Sequence, residues 1–128
     1  MNDTNRLRQH PSDRFDAPAH HLDLPGIATK LRDEAHASVA GHRQIAIYKH
    51  AQATLVLYAF EQGGEIPIHS ASGVVTIHVL QGRLTVHVGT DQHLLATGQL
   101  LVLAPSVPHS VRATEPGEML LTVHMVPS

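Results

Sequence analysis

Histidine is the residue whose chemistry this chain carries in excess, with twelve among 128 residues and no cysteine. Imidazole titrates near neutrality and offers two nitrogens, so it can act as a general acid or base and can bind divalent metals. Most of the twelve sit where no site is expected; His10, His20 and His21 fall in a polar N-terminal stretch and are expected to be solvated. His69 and His109 differ. They lie about forty residues apart, in two β segments punctuated by glycine. His69 follows Glu65-Ile66-Pro67-Ile68, and His109 closes Gly98-Gln99-Leu100-Leu101-Val102-Leu103-Ala104-Pro105-Ser106-Val107-Pro108.

Composition removes several alternatives for what these residues do. Without cysteine there is no disulfide framework, no thiolate zinc site and no cysteine nucleophile. Nine Lys and Arg against eleven Asp and Glu give a formal charge of -2 and no basic stripe, so nucleic acid is not an expected partner. Trp is absent and the aromatic residues are Phe15, Phe60, Tyr48 and Tyr58, too few for a stacking platform. No run of eighteen apolar residues and no signal-peptide pattern occurs, so no membrane partner is expected and the location is read as cytoplasmic.

The elements that must position the histidines follow from periodicity. Residues 1–22 are polar, contain Pro11 and Pro18 and lack a repeat, which predicts a flexible arm. Ile27, Leu31, Ala35 and Val39 recur every four residues, predicting one amphipathic helix over 23–41, with Asp23 as N-cap and Gly41 as its stop. From 42 to 128 the period becomes two. Candidate strands are 43–50, 54–60, 74–80, 83–89, 93–96, 100–103, 110–113 and 119–126, separated by glycines and prolines. Many short strands with such breaks predict an antiparallel sandwich or barrel in one domain.

If Gln81-Gly82 is a two-residue hairpin turn, Leu80 faces Arg83, His78 faces Thr85 and Thr76 faces His87. Alternation then sends Val75, Ile77, Val79, Leu84, Val86 and Val88 inward and turns His78 and His87 outward.

From about Ala53 to Val126 the chain resembles the cupins, of the RmlC-like superfamily. Gly64, Pro67, His69 and Val79-Leu80-Gln81-Gly82-Arg83-Leu84 resemble the first cupin motif; Gly98 and Val107-Pro108-His109-Ser110-Val111 resemble the second. The resemblance implies an all-β fold, a cupin-type double-stranded β-helix (jelly-roll barrel) with one N-terminal helix. It also implies that His69 and His109 match two of four metal ligands. The other two positions fall on Ala71 and Val75, which cannot coordinate, and Ser106 occupies a position usually held by glycine. The metal motif is therefore degenerate. Glu65, given the same strand parity as His69, lies too far along an extended chain to replace them, and His78 is a weak third ligand candidate that requires a register shift.

The expected function is binding of a small polar or anionic molecule in the barrel around His69 and His109, with Tyr48, Tyr58 and Arg43 as candidate mouth residues. A weakly held divalent metal (Zn, Fe, Mn or Ni) is the one cofactor implied. Two further readings stand beside this one. The first is a cupin enzyme with His69 and His109 as its catalytic groups, either an isomerase or a metal-dependent oxygenase; the second is a non-catalytic sensing or interaction module. A homodimer is expected, because 74–80 is apolar enough for burial on much of both faces.

Overall fold

The structure is a computed structural model describing residues 15–35 and 37–125. One helix, α1 (Leu24–Arg32), precedes nine strands: β1 (His42–Lys49), β2 (Ala53–Phe60), β3 (Glu65–His69), β4 (Val75–Gln81), β5 (Arg83–Val88), β6 (Asp91–Ala96), β7 (Leu100–Leu103), β8 (His109–Ala113) and β9 (Gly117–His124). The strands form a five-stranded sheet, β1-β2-β9-β4-β7, and a four-stranded sheet, β3-β8-β5-β6. Every pairing is antiparallel. The result is an all-β jelly roll. Among the described residues, no helix is long and apolar enough to cross a membrane.

Alternation explains the core. Tyr58, Phe60, Ile77, Val79 and Met119 of the five-stranded sheet meet Leu84, Val86, Val111 and Ala113 of the other sheet in one buried cluster. Each fully buried aliphatic side chain contributes on the order of 2 kcal/mol. The opposite face of β1 and β2 carries Ile47 and Leu57, which bury against Ala28 of α1.

The helix starts as its sequence predicts and ends early. Asp23 accepts a hydrogen bond from the Gly26 N–H at 3.3 Å, and Pro25 fits the first turn, where no N–H is needed. It was expected to reach Gly41 but stops at Arg32, because the next residues have no apolar surface to cover. Ala35 is exposed and Val39 is 72% exposed. Backbone groups further on are taken by β structure: Val39 bridges to His42, while the Gly41 and Ala40 carbonyls accept from Glu61 and Glu65. A Cβ at Gly64 would collide with the Gly41 carbonyl, so this crossing requires glycine.

Part of the predicted arm is ordered against the barrel. His20 packs on Tyr48 with ring centres 5.3 Å apart, and Phe15 lies 6.1 Å from the same ring. His20 is thus half-buried rather than solvated, whereas His21 is exposed. His10 and the rest of 1–14 lie outside the described residues.

The predicted hairpin does not form. β4 pairs with β7 and β9, and β5 pairs with β6 and β8, so Gln81-Gly82 is a corner between sheets. Gly82 adopts φ 91 there, and Thr97 Oγ1 accepts from its N–H at 3.0 Å. A glycine with positive φ serves a hairpin or a corner equally well. Face assignment survives the error, since Val75, Ile77, Val79, Leu84 and Val86 are all buried.

Candidate functional site

His69 and His109 meet because of a bulge. Ile66 of β3 pairs with Val111 of β8, and His69 pairs with His109, so three steps along β3 match two along β8. Ile66 and Val111 both face the core. Without the extra residue, His69 would point away from the barrel; with it, His69 shares the inward face with His109. Pro67 lies inside the irregular stretch and cannot donate a ladder hydrogen bond, which favours a bulge at this edge strand. The exposed Ile68 is the displaced residue. Glu65, given the parity of His69 by simple alternation, lies on the outer face and pairs with Arg112 at 3.4 Å.

The two ring centres are 4.3 Å apart and the planes are inclined by 58°. His69 is solvent-exposed, whereas His109 is only 1% exposed. Each ring is oriented by the backbone two residues earlier: His69 Nδ1 donates to the Pro67 carbonyl at 2.9 Å, and His109 Nδ1 to the Val107 carbonyl at 3.0 Å. Such second-shell bonds fix ring orientation and tautomer. The Nε2 atom of His109 is buried and has no hydrogen-bond partner. Burial lowers the His109 pKa below the ordinary histidine value; the nearby His69 lowers it further, and the Val107 carbonyl opposes the shift.

Residues 56–125 match the family model Cupin_2, the cupin domain. The chain belongs to the cupin family. Among solved structures, this cupin is similar to a conserved Streptococcus pyogenes protein of unknown function, with TM-score 0.70 and 21% identity over 88% of this chain and 92% of that one. It is also similar to a cupin superfamily protein from Desulfitobacterium hafniense, with TM-score 0.66 and 15% identity over 71% and 84% of the two chains. An RmlC-like cupin from Desulfovibrio desulfuricans matches at 26% identity and TM-score 0.61, covering 72% of this chain and 92% of that one. Among curated proteins, none matches this sequence significantly.

Cupins often hold a metal, but in this cupin the two remaining motif positions, Ala71 and Val75, supply no donor. Val75 is 3% exposed within the core, and Ala71 packs against it. Among the described residues, no three His, Asp or Glu side chains are grouped to hold an ion. His78 offers no repair, since it pairs with Leu100 and Leu120 on the outer face of the five-stranded sheet.

The other candidate residues do not join the pair. Tyr48 shares the outward side of Leu55, its β2 partner, and packs among Phe15, His20 and His50. Arg43 lines a depression of ≈ 170 Å³ beside α1, with Arg32, Ser38 and Glu61. Tyr58 does enter the barrel, where its ring stacks on Phe60 and meets His42, and burial raises its pKa. Sequence reading missed His42, which shares the inward side of Phe60 and bonds the Glu65 carbonyl at 2.9 Å. Its place at the head of β1, opposite Phe60 and two rungs from the Gln44–Tyr58 pair, follows from pairing and has no local signal.

Proposed function

We propose that this cupin binds a small polar molecule at the barrel site formed by His69 and His109. The supporting observation is the buried, unpartnered Nε2 of His109 beside the exposed ring of His69. An unsatisfied buried nitrogen costs about 1–3 kcal/mol, and a ligand that bonds it recovers that cost. A divalent ion at this site has two protein ligands and is held weakly, with water or ligand oxygens completing its shell. The test is calorimetric screening of small polar molecules, with and without Zn²⁺, Fe²⁺, Mn²⁺ or Ni²⁺, on the parent protein and on His69→Ala and His109→Ala. Loss of binding in both variants supports the reading; unchanged binding in both refutes it.

We also propose that two copies pair through the outer face of the five-stranded sheet. Leu100 and Val102 of the edge strand β7 are 56% and 58% exposed. They lie beside His78 and Thr76, their partners on β4. An exposed apolar strip of this kind can pair with its own copy across a two-fold axis. Light scattering is expected to give a dimer mass for the parent and a monomer mass for Val102→Glu.

A further inference from the structure

The hydrogen bonds of the two imidazoles restrict what their partner can be. A backbone carbonyl only accepts, so the Nδ1 atoms bonded to Pro67 and Val107 carry the ring hydrogens. A neutral imidazole has one ring hydrogen. Both Nε2 atoms are therefore lone pairs, and the pair offers two acceptors and no donor.

No cation of the four-stranded sheet offsets this. Arg112 alternates with the inward Val111 and Ala113, is exposed, and pairs with Glu65 on the outer face. Arg83 precedes the inward Leu84 and is also exposed. A carboxylate or phosphate would bring lone pairs to lone pairs, next to a ring from which water is excluded. A molecule carrying two adjacent hydroxyls brings the complementary groups; the ring centres are 4.3 Å apart, close enough for one small molecule to span both rings once it uncovers the buried His109 Nε2.

Resting on the binding reading above, we infer that the ligand is an uncharged molecule presenting two neighbouring hydrogen-bond donors, of which a vicinal diol is the simplest case. The site thus departs from one built for an anion: selectivity comes from two backbone carbonyls that fix the tautomers, with both arginines of the four-stranded sheet turned to its outer face.

The experiment is nitrogen NMR of the full chain, ¹⁵N-labelled at histidine and held at a pH above the histidine range. Ethylene glycol, glycerol, acetate and inorganic phosphate are the probes. Both rings are expected to show the hydrogen on Nδ1, and the His109 Nε2 signal is expected to move with the diols at concentrations about tenfold below any response to the acids. His69→Gln, at an exposed position, introduces an amide donor and is expected to narrow that preference. A hydrogen on Nε2 of either ring overturns the inference. So does acetate or phosphate binding as tightly as the diols, although that result leaves small-molecule binding at the pair intact. If both rings have the expected tautomer and no probe moves either, the inference fails; failure of the wider polar-molecule screen is what removes the binding reading.

Discussion

Two polar pairs in this molecule have the same plan and opposite outcomes. On the outer face of the five-stranded sheet, nearly buried Glu118 pairs with half-exposed Arg32 at the end of α1. At the barrel site, buried His109 stands against exposed His69. Arg32 satisfies the Glu118 carboxylate, joining α1 to the sheet. His69 leaves the His109 Nε2 open. Burying a polar group is costly in both places; one pair compensates within the chain, while the other leaves the His109 Nε2 without a partner.

Breaking each pair should separate these roles. The largest effect is expected from Arg32→Ala, which leaves Glu118 buried without its cation. Loss of about 2–3 kcal/mol is expected, below the range for fully buried pairs because Arg32 reaches solvent. Urea unfolding measures this, and ligand binding at the histidines should be unchanged.

His109→Leu should act in the opposite direction. It removes an unsatisfied buried nitrogen, worth about 1–3 kcal/mol, and also gives up the Nδ1 bond to the Val107 carbonyl, worth about 0.5–1.5 kcal/mol, so a net rise of about 1 kcal/mol is expected while binding is lost. A loss of stability larger than the about 0.5–1.5 kcal/mol of the Nδ1 bond to Val107 would show that Nε2 is satisfied within the protein and would remove the contrast between the two pairs.

The pH dependence of stability tests the same nitrogen more gently. Because the folded His109 pKa lies below its unfolded value near 6.5, the unfolded chain takes up the proton first as pH falls. This group's contribution to stability is full above the unfolded pKa and declines as pH drops from there through the folded value. Urea midpoints measured from neutral to mildly acidic pH should fall less steeply in His109→Leu than in the parent.

The smallest effect is expected at Ser106, whose φ of 65 places an L-residue in the left-handed region just before the His109 strand. Ser106→Gly should add about 0.5 kcal/mol by relieving that cost, net of glycine's greater unfolded-state entropy. Binding should not change. Thermal unfolding with a parallel binding measurement checks both.

Much of the site was legible in the chain. His109 could be placed by the turn residues leading into it, and Ala71 and Val75 showed that a four-ligand metal set was incomplete. Val74–Leu80 alternation turned His78 outward, where the structure has it. The errors share a cause. Expecting a β4–β5 hairpin, a helix reaching Gly41 and a common parity for Glu65 and His69 each extended a local pattern across a point where a distant strand competed for the backbone. The actual competitors are β9 and β7 for β4, the β2–β3 turn for residues 39–42, and β8 for β3.

By itself, the sequence determined the alternating faces of the strands and the all-β fold class, and it singled out His69 and His109 as candidate site residues. These follow from local spacing, because side-chain direction repeats every two residues in any extended strand. Only the tertiary structure decided that Gly82 is a corner, that β3 gains a residue near Pro67, and that His109 is buried with an open Nε2. Those features depend on which strands pair and in what register, and pairing is settled by competition among surfaces far apart in the chain.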